Sequence, residues 1–267
     1  MSALFGPVPS RRFGRSLGID LFTRKTCTFD CLYCEVGSNP EHTDAVHLTV
    51  PAEQVLGEIS AYLGENLQDL PDHITFAGSG EPTLYRDIDR IIEGIHRITS
   101  VPVVLLTNGS LLHRKMIRDR ILDVDVLVPS LDAGSEAVFQ KLNRPVSTIS
   151  YEDLVNGLIE TRQVYTGHYL LEVLLVDGFN TGIDEMERLV AQINRINPDA
   201  VQVNSVFRPP ADATIRAADT QTVNRFVEMV GERAIPVSYY NRSGQVREIR
   251  GDLLRQVILK TVLIRPC

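Results

Sequence analysis

The sequence predicts one α/β domain, built as a partial (β/α)6 TIM-like barrel with a helical extension at its C-terminus. Apolar runs alternate with amphipathic segments, polar residues interrupt some of the runs, and the repeating units number six rather than the eight of a closed barrel. A length of 267 residues suits one barrel-type domain. We therefore expect a single domain over residues 1–267, with a core barrel over about 15–210 and an extension over about 211–267.

Six apolar runs are predicted to be parallel strands, and a seventh run is a further candidate. They are SLGIDLF (16–22), HITFA (73–77), PVVLL (102–106), VDVLV (124–128), YLLEVLLV (169–176) and VQVNSVF (200–206), with IPVSYY (235–240) as the seventh. Gln202 and Asn204 share one face of the sixth run, and Glu172 interrupts the fifth. A doubly wound flat sheet, the alternative fold, would bury these polar groups, whereas a barrel lumen could present them to a polar ligand.

The segments between these runs have helical spacing. Thr49 and Pro51 are start signals for a helix that carries apolar residues at 55, 56, 59 and 62. Isoleucines at 88, 91, 92, 95 and 98 fall on one helical face, as do apolar residues at 183, 186, 189, 190 and 193. A last helix is predicted over 245–265, packed on the open side of the barrel or on another chain.

Three of the four cysteines lie within eight residues, in CTFDCLYC (27–34). A structural zinc ion takes four protein ligands, so these cysteines would need His42, His47 or another residue as the fourth. A [4Fe-4S] cluster held by Cys27, Cys31 and Cys34 would instead keep one iron without a protein ligand. That open iron could bind a substrate or a cofactor.

Charge and composition narrow the class of protein. A net charge of -7 argues against a nucleic-acid partner, because phosphate contacts need Lys and Arg. The N-terminus has no apolar signal core and no run reaches membrane-spanning length, so we expect a cytoplasmic protein without a membrane partner. A basic cluster near the N-terminus could serve a small anionic ligand or be an ordinary solvated face. It comprises Arg11, Arg12, Arg15, Arg24 and Lys25.

The three cysteines, with the aromatic Tyr33, resemble the CxxxCxφC signature of the radical S-adenosylmethionine (SAM) enzymes. Their position after the first predicted strand is where that family's partial barrel carries its cluster. Four more motifs follow in the family's order near later strand ends: GSGEP (78–82), TNG (107–109), PSLD (129–132) and KLNRP (141–145). The N-terminal FGPVPSRRFGRSLGIDL resembles a subfamily of uncharacterised Fe–S oxidoreductases, distantly similar to the tRNA wyosine-forming radical SAM enzymes. The likeness covers about residues 15–210.

This resemblance implies the chemistry and its cofactors. A [4Fe-4S] cluster on Cys27, Cys31 and Cys34 would bind SAM. Reductive cleavage of SAM would then give a 5′-deoxyadenosyl radical, which abstracts hydrogen from a small-molecule or peptide substrate. The electron would come from a partner such as flavodoxin or ferredoxin. The SAM contacts carried over by resemblance are Tyr33, Ser79, Gly80, Glu81, Asn108, Ser130, Asp132, Arg144, Glu172, Gln202 and Asn204. Among them, Tyr33 is expected on the adenine and Arg144 on the SAM carboxylate.

The residues expected to contact the substrate are not part of the cysteine motif or of the four motifs that follow it. We expect Arg11, Arg12 and Arg15 there, and also Asp20, because strand parity places it on one face with residues 18 and 22. The other lumen residues, Glu172, Gln202 and Asn204, are expected on the substrate side as well as near SAM. Cys267, the last residue, is either an ordinary terminal thiol or a group returned to the barrel mouth. There it could donate a hydrogen atom or bind a second metal centre.

Two other functions remain open at this stage. A tRNA-modifying radical SAM enzyme is suggested by the wyosine-enzyme likeness, although the acidic charge argues against it. A non-catalytic Fe–S electron-transfer or metal-binding protein would need no SAM pocket, so the GSGEP and KLNRP motifs argue against that class.

Overall fold

An eight-stranded sheet organises the part of the chain that the computed structural model describes, which is residues 2–10, 13–38 and 40–237. The strands are β1 (Leu4–Ser10), β2 (Gly14–Ile19), β3 (Thr26–Cys27), β4 (Glu41–His42), β5 (His73–Phe76), β6 (Val103–Thr107), β7 (Val126–Pro129), β8 (His168–Leu175), β9 (Ala200–Ser205) and β10 (Ala234–Pro236). The α-helices are α1 (Ala52–Glu65), α2 (Ile88–Ile98), α3 (Lys115–Arg118), α4 (Glu136–Leu142), α5 (Tyr151–Val164), α6 (Ile183–Ile196) and α7 (Thr220–Val230).

The strand order is β1-β2-β5-β6-β7-β8-β9-β10, while β3 and β4 form a separate pair. From β2 to β10 every neighbouring pair is parallel, and successive strands lie side by side in chain order. A doubly wound sheet would reverse its order near the middle, which this sheet does not do. Within the described residues the sheet ends at β1 and β10, so the predicted partial barrel is confirmed.

The six predicted strands are all present, and the start of the seventh is confirmed as the short β10, while residues 238–240 of that run lie outside the described residues. Strand β1 was not predicted, because glycine and proline at positions 6, 7 and 9 break the alternation of apolar residues. It pairs antiparallel with β2 at the edge of the sheet. The helices α1, α2 and α6 are also confirmed, although the Thr49 hydroxyl donates to the Leu21 carbonyl instead of capping α1. The predicted 245–265 helix and the extension beyond residue 237 lie outside the described residues.

The two faces of the sheet have different environments. One face joins the main apolar core beneath the helices, through residues such as Leu17, Ile74 and Leu105. The opposite face lines the lumen, where an apolar floor is closed by Phe13. That floor comprises Val104, Val126, Val128, Leu170 and Ala200. Polar groups therefore begin one layer above it, towards the carboxyl ends of the strands, where parallel barrels build their sites.

Candidate active site

The cysteine loop, residues 27–34, follows β2 and is bound along its first edge by the GSGEP turn. The Thr26 amide donates to the Ser79 carbonyl at 3.1 Å, and the Glu81 amide donates to the Thr26 carbonyl at 3.0 Å. A Cβ on Gly80 would lie 2.2 Å from the Thr26 oxygen and 2.7 Å from the Phe22 ring, so only glycine permits this approach. The turn thus fixes the backbone immediately before the first cysteine.

The KLNRP segment binds the other edge of the cysteine loop. The Asp30 amide donates to the Asn143 carbonyl at 3.1 Å, and the Leu32 amide donates to the Leu142 carbonyl at 3.0 Å. Directly after the KLNRP segment, the Val146 amide donates to the Thr28 carbonyl of the cysteine loop at 2.9 Å. Two motifs that are distant in sequence therefore hold the cysteine loop between them.

Asp20 supports the GSGEP turn from the end of β2. Its Oδ2 accepts hydrogen bonds from the Ser79 amide at 3.0 Å and the Ser79 hydroxyl at 2.5 Å. Gly78 adopts φ +126°, and a Cβ there would lie 2.4 Å from the Asp20 carboxyl carbon. The sequence predicts that residues 18, 20 and 22 share one face of a strand. That alternation does not reach Asp20, because β2 ends at Ile19. The Asp20 carboxylate is thus engaged by the GSGEP turn, and its expected role towards a substrate stays a prediction.

Glu81 is a buried carboxylate with four protein donors. One oxygen accepts from the Thr83 amide (3.0 Å), the Thr83 hydroxyl (2.6 Å) and the Thr107 hydroxyl (2.6 Å). The other accepts from the Asn108 amide at 2.7 Å. Burial raises the pKa of Glu81, while these hydrogen bonds oppose that shift. Its side chain therefore ties the GSGEP turn to the end of β6, which leaves the turn's backbone as the part able to face SAM.

Two asparagine amides point at cysteine sulfurs. Asn108 Nδ2 lies 3.5 Å from Cys27 Sγ, which also accepts from the Phe29 amide at 3.4 Å. Asn143 Nδ2 lies 3.5 Å from Cys31 Sγ. Burial raises the pKa of Cys27 to about 12 and raises that of Cys31 as well, because it disfavours the thiolate. A cation beside these two sulfurs would favour their thiolate forms.

Tyr33 and Asp132 form a buried polar network beneath the cysteine loop. The Tyr33 hydroxyl donates to Asp132 Oδ2 and accepts from Asn143 Nδ2 at 3.2 Å, while Asp132 Oδ1 accepts from the Leu174 amide at 2.8 Å. Burial, the largest cause, raises the pKa of Asp132 to about 6. Both side chains were expected on SAM. Here the Tyr33 hydroxyl binds the Asp132 carboxylate, which in turn binds the backbone of β8. The ring of Tyr33 is therefore the part of these two side chains that could contact SAM.

Arg144 pairs with the cysteine loop. Its Nε donates to the Asp30 carbonyl at 2.6 Å and its Nη2 to the Asp30 carboxylate at 2.7 Å, while Lys25 approaches the same carboxylate at 3.3 Å. Its backbone is left-handed, with φ 47°. Arg144 also borders a polar cleft of about 410 Å³. The expected ion pair with a SAM carboxylate would therefore have to share the guanidinium with Asp30.

The lumen presents a row of polar side chains above its apolar floor. Ser130 pairs with Glu172, and Glu172 pairs with Gln202, each in register. One layer higher, Asn204 donates to Glu172 Oε1 at 3.2 Å. The Gln202 side chain is fully buried, and neither its amide oxygen nor its nitrogen has a partner among the described residues. The predicted polar face of the last two long strands is thus confirmed as one surface.

Arg15, another predicted site residue, does not join this arrangement. Arg15 lies at the start of β2, where its guanidinium donates to Asp69 at 2.9 Å and its amide to Asp72 at 2.7 Å. Because the cysteine loop follows the far end of β2, Arg15 lies away from it. Arg11, Arg12 and Cys267 lie outside the described residues.

The thiols and imidazole nitrogens near the cysteine loop indicate which metal this loop could hold. His42 Nε2 contacts the Thr28 carbonyl at 3.0 Å, so this ring nitrogen is engaged away from the sulfurs. Across residues 2–10, 13–38 and 40–237, no three Cys, His, Asp or Glu side chains are grouped around a single ion. Three cysteine thiols on one eight-residue loop can supply one thiolate each to three irons of a cluster, whereas a structural zinc ion takes four protein ligands. The residues present therefore fit a [4Fe-4S] cluster better than a zinc ion.

Asn143 is the site residue that the sequence analysis missed. KLNRP was recognised, but only its arginine was assigned a role. The available signal was the position of Asn143, directly beside the arginine in a segment expected near the cluster.

Comparison with known proteins places this arrangement in a family. The model of the Radical SAM superfamily matches residues 23–193. A UPF0026 protein of Synechocystis sp., slr1464, is 31% identical over 78% of this chain and 76% of its own length. A protein named GTPase Obg from Brachyspira hyodysenteriae is 38% identical over 83% of this chain, which spans only 32% of that protein. A solved structure of TYW1 with a lysine-pyruvate adduct superimposes with a TM-score of 0.62 at 18% identity, covering 84% of this chain and 74% of that one, and so supports the fold alone.

The chain belongs to the radical SAM superfamily, since the family model covers most of the barrel. It is therefore an enzyme whose cofactors are a [4Fe-4S] cluster and SAM. None of the helices within the described residues combines the length and apolar character that crossing a membrane requires.

Proposed function

We propose that this enzyme holds its cluster through Cys27, Cys31 and Cys34 and abstracts a hydrogen atom from a small molecule or peptide bound in the barrel lumen. SAM would lie between the two, against the GSGEP backbone, Ser130 and the Tyr33 ring. When bound, the reduced cluster supplies the electron that cleaves SAM to methionine and a 5′-deoxyadenosyl radical. A flavodoxin or ferredoxin is the proposed source of that electron.

The observation that carries this proposal is the continuity between the cysteine loop and the lumen. Asn108, at the end of β6, contacts Cys27 Sγ. The Ser130 amide donates to the Thr107 carbonyl beside it, and the row continues through Glu172 to Gln202. Polar side chains thus lead from the cluster position to the lumen without crossing the apolar core.

The protein's own groups would position the ligands and exclude water. The apolar floor around Leu170 closes the lumen from below, which would keep water from a reactive radical. Glu172 and Asn204 would orient a ligand, and the Gln202 amide, which has no partner within the described part of the chain, would offer it both a donor and an acceptor group. A ligand that supplies both would remove the cost of leaving that amide unsatisfied.

The test begins with anaerobic reconstitution of the full chain with iron and sulfide, followed by incubation with SAM and dithionite. We expect about four irons per chain and formation of 5′-deoxyadenosine, with both lost in Cys34→Ala. Cys267→Ala is the matched cysteine control, and unchanged 5′-deoxyadenosine formation there would remove Cys267 from this step. A wild-type protein that carries four irons but forms no 5′-deoxyadenosine would overturn the proposal.

The substrate class needs its own measurement. Filter binding of bulk tRNA at low and high salt distinguishes a tRNA substrate from a small ligand, because phosphate contacts make binding salt-dependent. We expect no retention at low salt, in keeping with the net charge of -7. Tight, salt-sensitive retention would replace the small-molecule proposal with tRNA modification.

A further inference from the structure

Asn143 is the described side chain that contacts Cys31 Sγ through an amide donor, at 3.5 Å. It is only 3% exposed. Its own backbone is fixed at the end of α4, where the Asn143 amide donates to the Phe139 carbonyl at 3.0 Å. The side chain therefore reaches the sulfur from a rigid anchor and without competition from bulk water.

The surroundings determine which end of the Asn143 amide faces the sulfur. Asp132 Oδ2 lies 3.4 Å from Asn143 Nδ2, and Tyr33 already donates its hydroxyl proton to that carboxylate. A carboxylate only accepts hydrogen bonds, so the nitrogen of the asparagine, not its oxygen, must face Asp132. The Tyr33 hydroxyl oxygen also lies 3.2 Å from this nitrogen, directly beside Asp132 Oδ2, so one N–H is shared between these two adjacent oxygens and the other is available for Cys31.

We propose that Asn143 is a positioning residue that donates this N–H to Cys31 Sγ and thereby raises the reduction potential of the bound cluster, with Asp132 and Tyr33 fixing the orientation of its amide. The inference rests on the proposed function, since it requires the cluster on Cys31. Hydrogen bonds to ligating sulfurs withdraw electron density from the iron and favour the reduced state. Such a donor would ease the electron transfer that starts the reaction.

The test compares midpoint potentials, measured by redox titration with electron paramagnetic resonance on reconstituted, SAM-free protein. Asn143→Leu keeps the approximate volume and removes the donor, whereas Asn143→Gln retains an amide. We expect Asn143→Leu to lower the reduced-to-oxidised ratio at a fixed potential by about three- to tenfold, tenfold corresponding to about 59 mV for a one-electron couple. Asn143→Gln should recover part of that shift.

Asn180 provides the matched control. It is also fully buried, but its amide donates to the Asp132 and Leu174 carbonyls and not to a sulfur. Asn180→Ala should leave the potential unchanged at equal iron content. Equal potentials for wild type and Asn143→Leu, with four irons in each, would overturn the inference while leaving the proposed function intact.

A second measurement does not depend on the Asn143 variants. Wild-type protein labelled with ¹⁵N-asparagine and reduced should show a weak nitrogen hyperfine coupling in pulsed electron paramagnetic resonance. The Asn108→Ala protein should retain a coupling from Asn143. Absence of any asparagine coupling in intact wild-type protein would contradict the donor role, whereas failure to bind four irons would count against the proposed function itself.

Discussion

Substitution of Gly80 by alanine should disrupt the seating of the cysteine loop. The added Cβ would lie 2.2 Å from the Thr26 carbonyl oxygen and 2.7 Å from the Phe22 ring. A backbone oxygen cannot swing aside as a flexible side chain can, so the GSGEP turn and the loop would have to separate by about 1 Å or more. Two backbone hydrogen bonds join them at this point, of 3.1 and 3.0 Å.

The magnitude follows from these contacts. Overpacking costs about 1–3 kcal/mol, and each of the two weakened hydrogen bonds about 0.5–1.5 kcal/mol, so the free energy of unfolding should fall by roughly 2–6 kcal/mol. Urea denaturation followed by circular dichroism measures this change in the apo protein. Iron content after reconstitution should also fall, because Thr26 directly precedes the first cysteine.

Gly57 offers the matched control for this experiment. It lies in α1 with nothing within 4 Å of an added Cβ, so Gly57→Ala should stabilise the protein by about 0.5–1 kcal/mol. A Gly80→Ala protein with wild-type stability and iron content would refute the account of how the GSGEP turn holds the loop.

Three further substitutions test separate parts of the site. Gln202→Leu should raise the free energy of unfolding by about 1–3 kcal/mol, because it removes a buried amide for which residues 2–10, 13–38 and 40–237 supply no partner, while lowering substrate turnover. A variant less stable in urea would show that the amide has a partner. Burial raises the pKa of Asp132 from 3.8 to about 6, so its proton stabilises the fold below about pH 4 and that contribution is lost as pH rises through about 6. Relative to Asp132→Asn, the wild type should therefore lose about 2–3 kcal/mol of stability between pH 4 and 7, and a pH-independent difference would contradict the assignment. Arg144→Gly should be more stable than Arg144→Ala by about 1 kcal/mol, because both variants lose the ion pair with Asp30 but only glycine adopts the left-handed backbone conformation without strain. Equal urea midpoints for the two variants would refute the presence of that strain.

The order of the elements could be predicted because each strand carries its own apolar signal. Polar residues placed in the strands also indicated a lumen, and Glu172 pairs with Gln202 in register as that reasoning required. The edge strand β1 escaped prediction because its prolines and glycine carry no alternation. Its pairing with β2 supplies the evidence that the local sequence lacks.

The destinations of the polar side chains were harder to predict. Sequence motifs place Glu81 and Asp132 at strand ends, but do not reveal that protein donors would occupy their carboxylates. That outcome depends on which loops meet, and thus on Thr107 and Tyr33, which are distant in sequence. The location of Arg15 could have been predicted, because four residues of extended chain separate it from Asp20, which directly follows the other end of β2.

The central claim is that the cluster on Cys27, Cys31 and Cys34 keeps one iron open for SAM. Electron–nuclear double resonance of the reduced, reconstituted enzyme with SAM labelled by ¹⁵N at its amino group examines that iron directly. The account predicts a strong nitrogen coupling that disappears when SAM is omitted. An intact four-iron cluster without such a coupling, or a protein that retains zinc in place of iron, would contradict it.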